Sequence, residues 1–580
     1  MWAGFGGVGT LVSVTLDKGV NIPVRDGTLL VADVYRPSRA GRYPALLLRT
    51  PYDRRTAQTV MYAHPSWYAA HGYVVVVQDT RGRWASEGDF DPVVSEAYDG
   101  ADTIEWMASQ SWSNGRIGMY GFSYPGMVQL LAASRRPEGL RTIVPAFAPS
   151  QMREGWLFNG GALALAFALG WSIELGRDLA RRLRPEFEPQ FLAALAEPNA
   201  YYRFRPLRDQ PLFRGSRLGA FYFDWLEHEF DGAYWSPRQV EDLYGDIDMP
   251  ALHIGGWYDA FIDGTIRNFA GLSHHAGSQD ASARQRLIVG PWHHIPGLTS
   301  LSPTDFGPEA SPSIDHEQLR WFDLWLRDDG IGTQEAARVF AMGANQWMGF
   351  PAWPPPAPEL RRFFLRSAGH ANSRSGDGWL SEESPGAEPP DVFVYDPASP
   401  VPSLGGHSCC FPNIAPMGPM DQAPVEVLSG VLVFTSKPLD NDLLAAGPIT
   451  ARVYAATDVR DTDWIVRVCD VREDGHSTNV QEGVIRSRHS GPSEAPHLLV
   501  AGETRAYDIF VGSTCYLFRR GHRIRVHITS SSYPAWEPNT NTGHPLGVDS
   551  IGDVLVGTQT VWHDASAPSA ITLSVIDGAW

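Results

Sequence analysis

The sequence predicts an open α/β sheet that is interrupted by a helical insertion and followed by an all-β domain. Strand-like apolar runs alternate with helical patterns through residues 1–150 and again through residues 249–345. Between them, in residues 151–248, the alternation stops and helical patterns rich in aromatic residues take over. Residues 346–580 contain short alternating segments separated by Gly, Pro and Asp, which predicts a β-sandwich of the jelly-roll type.

The individual elements follow from periodicity and turn signals. Strand patterns at residues 20–24 and 29–35 are joined by an Asp-Gly pair, which is a strong hairpin signal. Residues 45–48 and 73–77 are continuous apolar runs, as in central parallel strands that are covered on both faces. The other predicted elements of the two α/β segments include helices at 67–71, 97–109 and 317–326 and strands with following turns at 116–123, 142–147, 251–259 and 286–294.

The insertion and the C-terminal domain are predicted in the same way. Helices are expected at residues 162–176, 177–183 and 190–195, and the aromatic content of this insertion makes it a candidate lid. The predicted strands of the C-terminal domain lie at residues 362–365, 391–395, 427–434, 449–456, 464–471, 484–488, 506–511, 523–529 and 570–575.

Composition narrows the functional classes. The chain has 580 residues, of which 43% are hydrophobic and 19% charged, as in a globular protein of several domains. Its net charge of −18 argues against nucleic-acid binding, because no basic excess is available to neutralise phosphates. Lys18 and Lys437 are the only lysines, and neither lies in a phosphate-binding loop or an apolar stretch. P-loop nucleotide hydrolysis and Schiff-base chemistry are therefore disfavoured.

Cysteine usage and apolar runs predict the compartment. Cys409, Cys410, Cys469 and Cys515 form no CxxC pair and suggest no disulfide framework, which favours a reducing compartment and no metal site. The first residues lack the pattern of a signal peptide, and the apolar run at 160–171 is too short to cross a bilayer. We therefore expect a cytoplasmic protein that binds no membrane.

Residues 4–9 match a dinucleotide-binding fingerprint by their glycines alone. A strand should precede such a loop and a helix should follow it, and the sequence predicts neither. We therefore expect no nucleotide site there, and no cofactor.

The stretch at residues 116–131 predicts a nucleophile elbow. It reads as an apolar strand, a sharp turn that carries Ser123, and a helix that opens with Pro125. Gly121 and Gly126 flank the turn, where a Cβ atom would collide with the neighbouring strand and helix. Such a turn lifts the serine hydroxyl clear of the sheet, within reach of a base. The usual pattern has glycine two residues after the serine, whereas here it comes three residues after.

A serine nucleophile needs a histidine base and a carboxylate that orients it. Ser123, Asp259 and His294 each follow a short apolar strand, and they occur in the order expected for an α/β sheet. We therefore predict these three as the catalytic triad. Spacing alone does not choose between His294 and its neighbour. The other candidates weighed are Asp79, Asp263, His253, His274, His275 and His293, of which His253 reads as a core residue inside a strand.

The negative oxygen of a tetrahedral intermediate needs hydrogen-bond donors. One predicted donor is the backbone N–H of Tyr124, immediately after the nucleophile. The second is expected from the loop after an early strand, where the Tyr52 hydroxyl could donate.

Together these motifs resemble the cocaine-esterase-like hydrolases of the CocE/NonD type, which belong to the X-Pro dipeptidyl-peptidase group of serine hydrolases. The glycine placed three residues after the serine matches that group. The resemblance spans nearly the whole chain and rests on residues 49–53, 79–82, 86–88, 121–126, 256–259, 290–294, 521–526, 530–534 and 541–543. It implies an α/β-hydrolase fold with a helical lid and a C-terminal jelly roll.

The resemblance also implies roles for individual residues. The family histidine falls on His294 and the family oxyanion tyrosine on Tyr52. The residues implied to line the acyl pocket are Trp156, Trp171, Phe261 and Phe411, the last from the jelly roll.

The residues after the expected catalytic aspartate bear on the substrate. Relatives that hydrolyse amino-acid esters carry carboxylates there, whereas this chain has Ala260, Phe261 and Ile262. A charged amine would lose its hydration without a partner, at a cost of several kcal/mol. We therefore predict a carboxylesterase for uncharged, aromatic or branched acyl groups, working through an acyl-serine intermediate.

Three other hypotheses remain open from the sequence. An amidase or acylase, or a dipeptidyl-peptidase-type enzyme, would use the same triad on a different leaving group. In a different class, the jelly roll could bind carbohydrate beside an inert hydrolase half, which the complete triad disfavours. The expected partner is a small ester or amide substrate, and a homodimer stays open as an assembly.

Overall fold

A computed structural model describes residues 13–56, 62–216, 218–297, 304–330, 335–491 and 495–576. The glycine-rich stretch at residues 4–9 lies outside the described residues. No helix in the described part of the chain is long and apolar enough to cross a membrane.

The N-terminal part of the chain contributes a ten-stranded sheet and a small hairpin. The strands are β1 (Val14–Pro23), β2 (Leu29–Pro37), β3 (Tyr43–Thr50), β4 (Val74–Asp79), β5 (Ser113–Phe122), β6 (Leu140–Ala146), the hairpin strands β7 (Phe158–Asn159) and β8 (Ala162–Leu163), then β9 (Ala251–Gly256), β10 (Gln285–Gly290), β11 (Ala337–Ala341) and β12 (Gln346–Phe350).

Helices flank this sheet and fill the segment between β6 and β9. They are α1 (Pro65–Ala70), α2 (Glu96–Ser109), α3 (Tyr124–Ala133), α4 (Leu165–Leu183), α5 (Glu188–Ala196), α6 (Asn199–Tyr202), α7 (Pro211–Ser216), α8 (Phe221–Glu227), α9 (Gly232–Trp235), α10 (Ile262–His275), α11 (Gln279–Ala283) and α12 (Ile314–Arg327), followed in the C-terminal domain by α13 (Ala423–Glu426).

The strand order of the sheet determines where a site can form. The order is β1-β2-β4-β3-β5-β6-β9-β10-β11-β12, and the strands from β4 to β11 in that order are parallel to one another. Every residue of β4 is buried, which the continuous apolar run at 73–77 predicts for its four valines. Because parallel strands end at the same edge, the residues that follow β3, β5, β9 and β10 meet there.

The sheet extends past the residue at which the C-terminal domain is predicted to begin. Strand β12 pairs with β11 in antiparallel register, from Ala337 opposite Phe350 to Ala341 opposite Gln346. The predicted division between residues 345 and 346 therefore falls between two paired strands. The other domain boundaries stay predictions.

The helical segment differs from its prediction: the short helices α6 to α9 were not predicted, and the first predicted helices divide differently. The two helices expected at residues 162–176 and 177–183 are a single helix, α4, and residues 162–163 are a strand. Gly176 allows Phe191 of α5 to pack against the helix, where a Cβ atom would overlap the ring. Gly176 therefore makes room for a neighbouring side chain, and helix α4 continues past it.

The C-terminal domain is built mainly from antiparallel strands. They are β13 (Glu359–Arg366), β14 (Trp379–Ser381), β15 (Asp391–Tyr395), β16 (Leu432–Thr435), β17 (Leu443–Thr457), β18 (Asp463–Val471), β19 (Ser477–Arg486), β20 (Arg505–Phe518), β21 (Arg523–Thr529), β22 (Gly557–Trp562) and β23 (Ala570–Ile576). Their order is β15-β22-β17-β23-β13-β14-β16-β21-β18-β19, with β20 paired to β17.

Several strand predictions in this domain need correction. Strand β14 was not predicted, and the strand expected at 484–488 is β19, which ends at Arg486. The strand expected at 427–434 begins only at Leu432, because α13 and a turn that exposes Val427 precede it. Strand β22 was not predicted, since its inward positions include Gln559, which is fully buried and donates a hydrogen bond to Thr462. A polar residue inside the sheet hides the period of two that identifies a strand.

We predict that Gly256→Ala destabilises the protein. A Cβ atom at this position would overlap the backbone oxygen of Trp292, so β9 and the loop after β10 would have to separate. We expect the free energy of unfolding to fall by about 1–3 kcal/mol, measured by thermal or urea denaturation. Gly215→Ala is the matched control, because Gly215 lies in helix α7 with no atom within 4 Å of an added Cβ. Equal stability of the two variants would contradict the prediction.

Candidate active site

Ser123 occupies a strained turn between strand β5 and helix α3. Its backbone has φ 68° and ψ −130°, a conformation that non-glycine residues rarely adopt. Its N–H donates to the backbone oxygen of Ala146 at 3.0 Å, which fixes the turn against β6. The flanking glycines are needed: a Cβ on Gly121 would lie 2.6 Å from Pro125, and one on Gly126 would lie 2.5 Å from the Ala146 oxygen. The turn therefore has the form of a nucleophile elbow.

Asp259 and His294 form a buried pair beside this turn. The His294 ring, through Nδ1, makes a 2.6 Å hydrogen bond with Oδ1 of Asp259. The Asp259 side chain is fully buried and that of His294 is 5% exposed. Phe122, the residue before Ser123, packs against the His294 ring with 5.7 Å between ring centroids. The carboxylate therefore orients an imidazole close to the serine turn.

Backbone contacts between the loops after β9 and β10 bring this pair together. Trp257 N–H donates to the Gly290 oxygen at 2.9 Å, and Tyr258 N–H donates to the Trp292 oxygen at 3.0 Å. Gly256 allows this approach because it has no Cβ. The two loops thus run side by side, and each ends at one member of the pair.

The structure separates His294 from the other candidate histidines. His293 is buried, and within the described residues neither of its ring nitrogens has a hydrogen-bond partner. Burial lowers the pKa of His293 to about 4, and the neighbouring His294 contributes to this shift. His253 is a core residue of β9 whose Nε2 lies 3.1 Å from Gln285. Burial lowers its pKa to about 4 as well.

The remaining alternatives lie elsewhere or have other partners. Asp79 accepts hydrogen bonds from the backbone and side chain of Arg54, at 2.7 and 2.6 Å. Asp263 lies in the first turn of α10, with its carboxyl oxygen Oδ1 buried. His274 and His275 are the last two residues of the same helix, and Nδ1 of His274 lies 2.7 Å from the Ala270 oxygen.

Tyr52 lies in the loop after β3, at the same edge of the sheet. Its hydroxyl accepts a hydrogen bond from Trp171 Nε1 of helix α4 at 3.1 Å. Burial raises the pKa of the Tyr52 phenol, and hydrogen bonds with Trp171 and Ser123 partly oppose that shift. The phenol therefore keeps its proton at neutral pH and lies against the serine.

Tyr124 begins helix α3, so its backbone N–H has no acceptor within the helix. Its ring lies near Trp156 and Trp171, with 6.3 and 6.4 Å between ring centroids, and its hydroxyl reaches a buried polar network. The Tyr124 hydroxyl donates to Glu96 at 2.8 Å and accepts from the backbone N–H of Val93 at 3.0 Å. Glu96 in turn forms an ion pair with Arg49 at 2.6 Å, and both side chains are almost fully buried.

An aromatic cluster lies next to the pair and Tyr52. Trp156 contacts Trp171 and Phe261, with 5.2 and 5.4 Å between ring centroids. Phe261 meets the His294 ring edge to face at 5.1 Å. Phe167 stacks on Trp171 at 5.6 Å. Three of the four residues predicted for the acyl pocket are therefore in one cluster that reaches His294.

The fourth predicted pocket residue, Phe411, belongs to a loop of the C-terminal domain. Its ring packs against Gly170 of α4, where a Cβ atom would overlap it. Upstream in this loop, Ser408 forms an isolated β-bridge with Asp259. His407 Nε2 lies 2.8 Å from the backbone oxygen of Trp257. We call residues 407–411 the closing loop, because it brings the C-terminal domain against the pair.

The closing loop also carries a feature that the sequence analysis did not expect. Cys409 and Cys410 are joined by a disulfide, whereas Cys469 and Cys515 are buried free thiols. The cysteine pattern excluded a disulfide framework that staples distant segments, and a bond between adjacent residues is not such a framework.

A cavity of about 230 Å³ lies beside the aromatic cluster, where the helical segment, the sheet and the C-terminal domain meet. Trp156, Phe167 and Cys409 line it. So do Glu154 and Asp263, whose carboxyl pKa values are raised by burial. The apolar residues 260–262 are therefore followed by a carboxyl that faces this space, which sequence spacing alone did not indicate.

Family models and known relatives also identify the chain as similar to serine hydrolases. Residues 26–296 match the model described as X-Pro dipeptidyl-peptidase of the S15 family, and residues 329–572 match its C-terminal non-catalytic domain. Cocaine esterase from a Rhodococcus species is 33% identical over 96% of this chain and 98% of its own. A putative serine esterase from Mycobacterium bovis is 25% identical over 88% of this chain and 89% of its own.

Solved structures show the same fold. An aminopeptidase from a marine sediment Thaumarchaeota archaeon superposes with a TM-score of 0.82 at 24% identity, covering 100% of this chain and 98% of that one. An α-amino acid ester hydrolase gives a TM-score of 0.79 at 23% identity, covering 99% and 98%. An α/β-hydrolase-type enzyme with a C-terminal β domain is thus established. The chain belongs to the cocaine-esterase-like CocE/NonD family of serine hydrolases.

Proposed function

We propose that this enzyme is a carboxylesterase for uncharged aromatic or branched acyl groups and that it acts through an acyl-Ser123 intermediate. The observation that carries the proposal is the buried Asp259–His294 hydrogen bond at the strand ends beside the serine turn. A serine hydroxyl is a poor nucleophile at neutral pH, and an oriented imidazole is the group that activates it.

In the proposed acylation step, the Ser123 oxygen attacks the ester carbonyl while His294 Nε2 accepts the hydroxyl proton. Asp259 stabilises the imidazolium through Nδ1. The same proton then passes to the departing alkoxide as the C–O bond breaks. In deacylation, water loses a proton to His294 and attacks the acyl carbon, and Ser123 regains its proton as the carboxylic acid leaves.

The negative oxygen of both tetrahedral intermediates would bind between the Tyr124 N–H and the Tyr52 hydroxyl. Trp171 donates to the Tyr52 oxygen, so the phenolic proton is available for another acceptor. The raised pKa of Tyr52 keeps that proton in place at neutral pH. The oxyanion donors would thus be ready before the substrate binds, which is the condition for electrostatic stabilisation.

The acyl group would lie against the aromatic cluster formed by Trp156, Trp171 and Phe261, with Phe411 from the closing loop beside it. An aryl ring gains both apolar burial and ring–ring contacts in such surroundings. We further propose that the segment between β6 and β9 serves as a lid, because its helix α4 carries Trp171, and that the C-terminal domain is a jelly roll.

A fluorophosphonate probe tests the nucleophile. We expect a single adduct on Ser123, located by intact mass and peptide mapping, because only an activated serine reacts. Ser123→Ala should lower ester turnover by about 10⁴-fold or more. His294→Ala should abolish labelling, whereas His293→Ala, the matched control, should keep it. Labelling that depends on His293 would refute the assignment, and no labelling of a folded sample would revive the carbohydrate-binding alternative.

We predict that Tyr52→Phe lowers kcat by about 10²–10³-fold with a small change in KM, because an oxyanion donor acts mainly in the transition state. Steady-state kinetics on an activated aryl ester measure this. Tyr222→Phe is the control, since Tyr222 is a buried tyrosine of α8 whose hydroxyl has no hydrogen-bond partner among the described residues. A similar loss in both variants would mean that Tyr52 acts only through packing.

Paired acyl groups test the substrate class. We expect phenylacetate esters to exceed the matching phenylglycine esters in kcat/KM by about 10-fold or more, because an ammonium group loses hydration in the aromatic cluster. Anilides of the same acids should be slower than the esters; an anilide preference would favour the amidase alternative. A phenylglycine preference that Asp263→Asn abolishes would instead identify the cavity acids as an ammonium site and overturn the predicted specificity.

A further inference from the structure

Contacts on both sides of Cys409 and Cys410 fix the position of this pair in the closing loop. On one side of the pair, Ser408 bridges to Asp259 and His407 Nε2 contacts the Trp257 oxygen. On the other side, Phe411 packs into the space above Gly170. These contacts do not involve the sulfur atoms, so they hold the backbone on either side of the pair whether or not the two sulfurs are bonded.

This place is next to His294. A ring nitrogen of His294 and the two sulfur atoms all lie within 4.8 Å of one another. His294 and Cys409 are buried, whereas Cys410 is exposed, so small ions can approach from the Cys410 side. The catalytic reaction proposed above uses neither sulfur.

We propose that the reduced Cys409–Cys410 pair and His294 form a binding site for Zn²⁺ or a similarly thiophilic divalent cation. Two thiolates and one imidazole are a ligand set that zinc accepts, with a fourth position left for water. A ligating histidine typically donates its other ring N–H to a carboxylate, which raises its basicity. Asp259 already accepts from Nδ1 of His294, so Nε2 is the nitrogen left for the metal.

The same nitrogen is the proposed general base, so metal binding and ester hydrolysis exclude each other. This part of the inference rests on the proposed function, whereas metal binding itself does not. The disulfide form has no thiolates to offer and would be insensitive to zinc. The closing loop thereby makes the enzyme inhibitable by metal only when its cysteines are reduced.

The site forms in two balanced steps. A phosphine reductant breaks the S–S bond: the phosphine is oxidised to its oxide with the oxygen of one water, and each sulfur gains one proton and one electron. Zn²⁺ then displaces the two thiol protons and binds the resulting thiolates together with neutral His294.

Metal binding is tested on the full chain after reduction and anaerobic removal of the reductant. Equilibrium dialysis against Zn²⁺ should give one tightly bound ion per chain, and Co²⁺ should give a thiolate-to-cobalt charge-transfer band. The Cys409→Ser/Cys410→Ser variant and the oxidised wild type should both lack the band and bind zinc at least 10-fold more weakly.

Cys469→Ser is the matched control, because Cys469 belongs to a second group of metal-ligand side chains with Glu426 and His527. Arg525 forms a 2.6 Å ion pair with this Glu426 and supplies the positive charge there, so we expect zinc binding to be unchanged in the control. Binding that disappears in Cys469→Ser and persists in the double variant would overturn the proposal. If the double variant does not fold, the oxidised wild type and Cys410→Ser alone provide the same comparison.

Ester turnover is measured in parallel. Saturating Zn²⁺ should lower the turnover of the reduced enzyme at least 10-fold, and a chelator should restore it. The oxidised enzyme and the double variant should each show the same turnover with zinc as without it. Zinc binding at the cysteines without inhibition would leave the site standing and refute the proposed role of His294. Absence of both the cobalt band and tight zinc binding in the reduced enzyme would refute the site, whatever the esterase activity.

Discussion

The positive φ of Ser123 is the constraint on which the site depends. A serine in this conformation is unfavourable by itself, so its surroundings must hold it there. Two glycines make room on either side of the turn, and Ala146 accepts its backbone N–H. Behind it, the hydroxyl of Tyr124 reaches the ion pair of Glu96 and Arg49. A shift of the turn would break the buried hydrogen bonds of the Tyr124 hydroxyl and leave polar groups unpaired, so the network resists such a shift.

Close backbone packing also positions Asp259 and His294. Asp259 and His294 meet because the backbones after β9 and β10 come into direct hydrogen-bond contact at Gly256. Trp171 of the helical segment donates a hydrogen bond to the Tyr52 hydroxyl, and Ser408 of the closing loop forms a β-bridge with Asp259. Three parts of the chain that are far apart in sequence therefore share one small volume.

Much of this was accessible from the sequence, because strand ends and turn glycines leave local signals. The strands and turns before Ser123, Asp259 and His294 were predicted at nearly their observed positions. Spacing could not choose between His293 and His294, since the direction of each ring depends on the contacts of the loop beyond β10. The carboxyl of Asp263 in the cavity and the closeness of Cys409 to His294 depend on how separate domains pack, which no local pattern encodes. The contact of Gly176 with Phe191 is likewise a packing relation that the local sequence does not show.

The position of the closing loop in the sequence has a consequence for folding during synthesis on the ribosome. The chain is made from its N-terminus, so Ser123, Asp259 and His294 emerge well before residues 407–411. A nascent chain that had folded only its first 350 residues could pair the aspartate with the histidine, yet the face covered by Ser408 would still be open to water. The site is therefore covered only after the C-terminal β domain has been synthesised and packs against the N-terminal part of the chain.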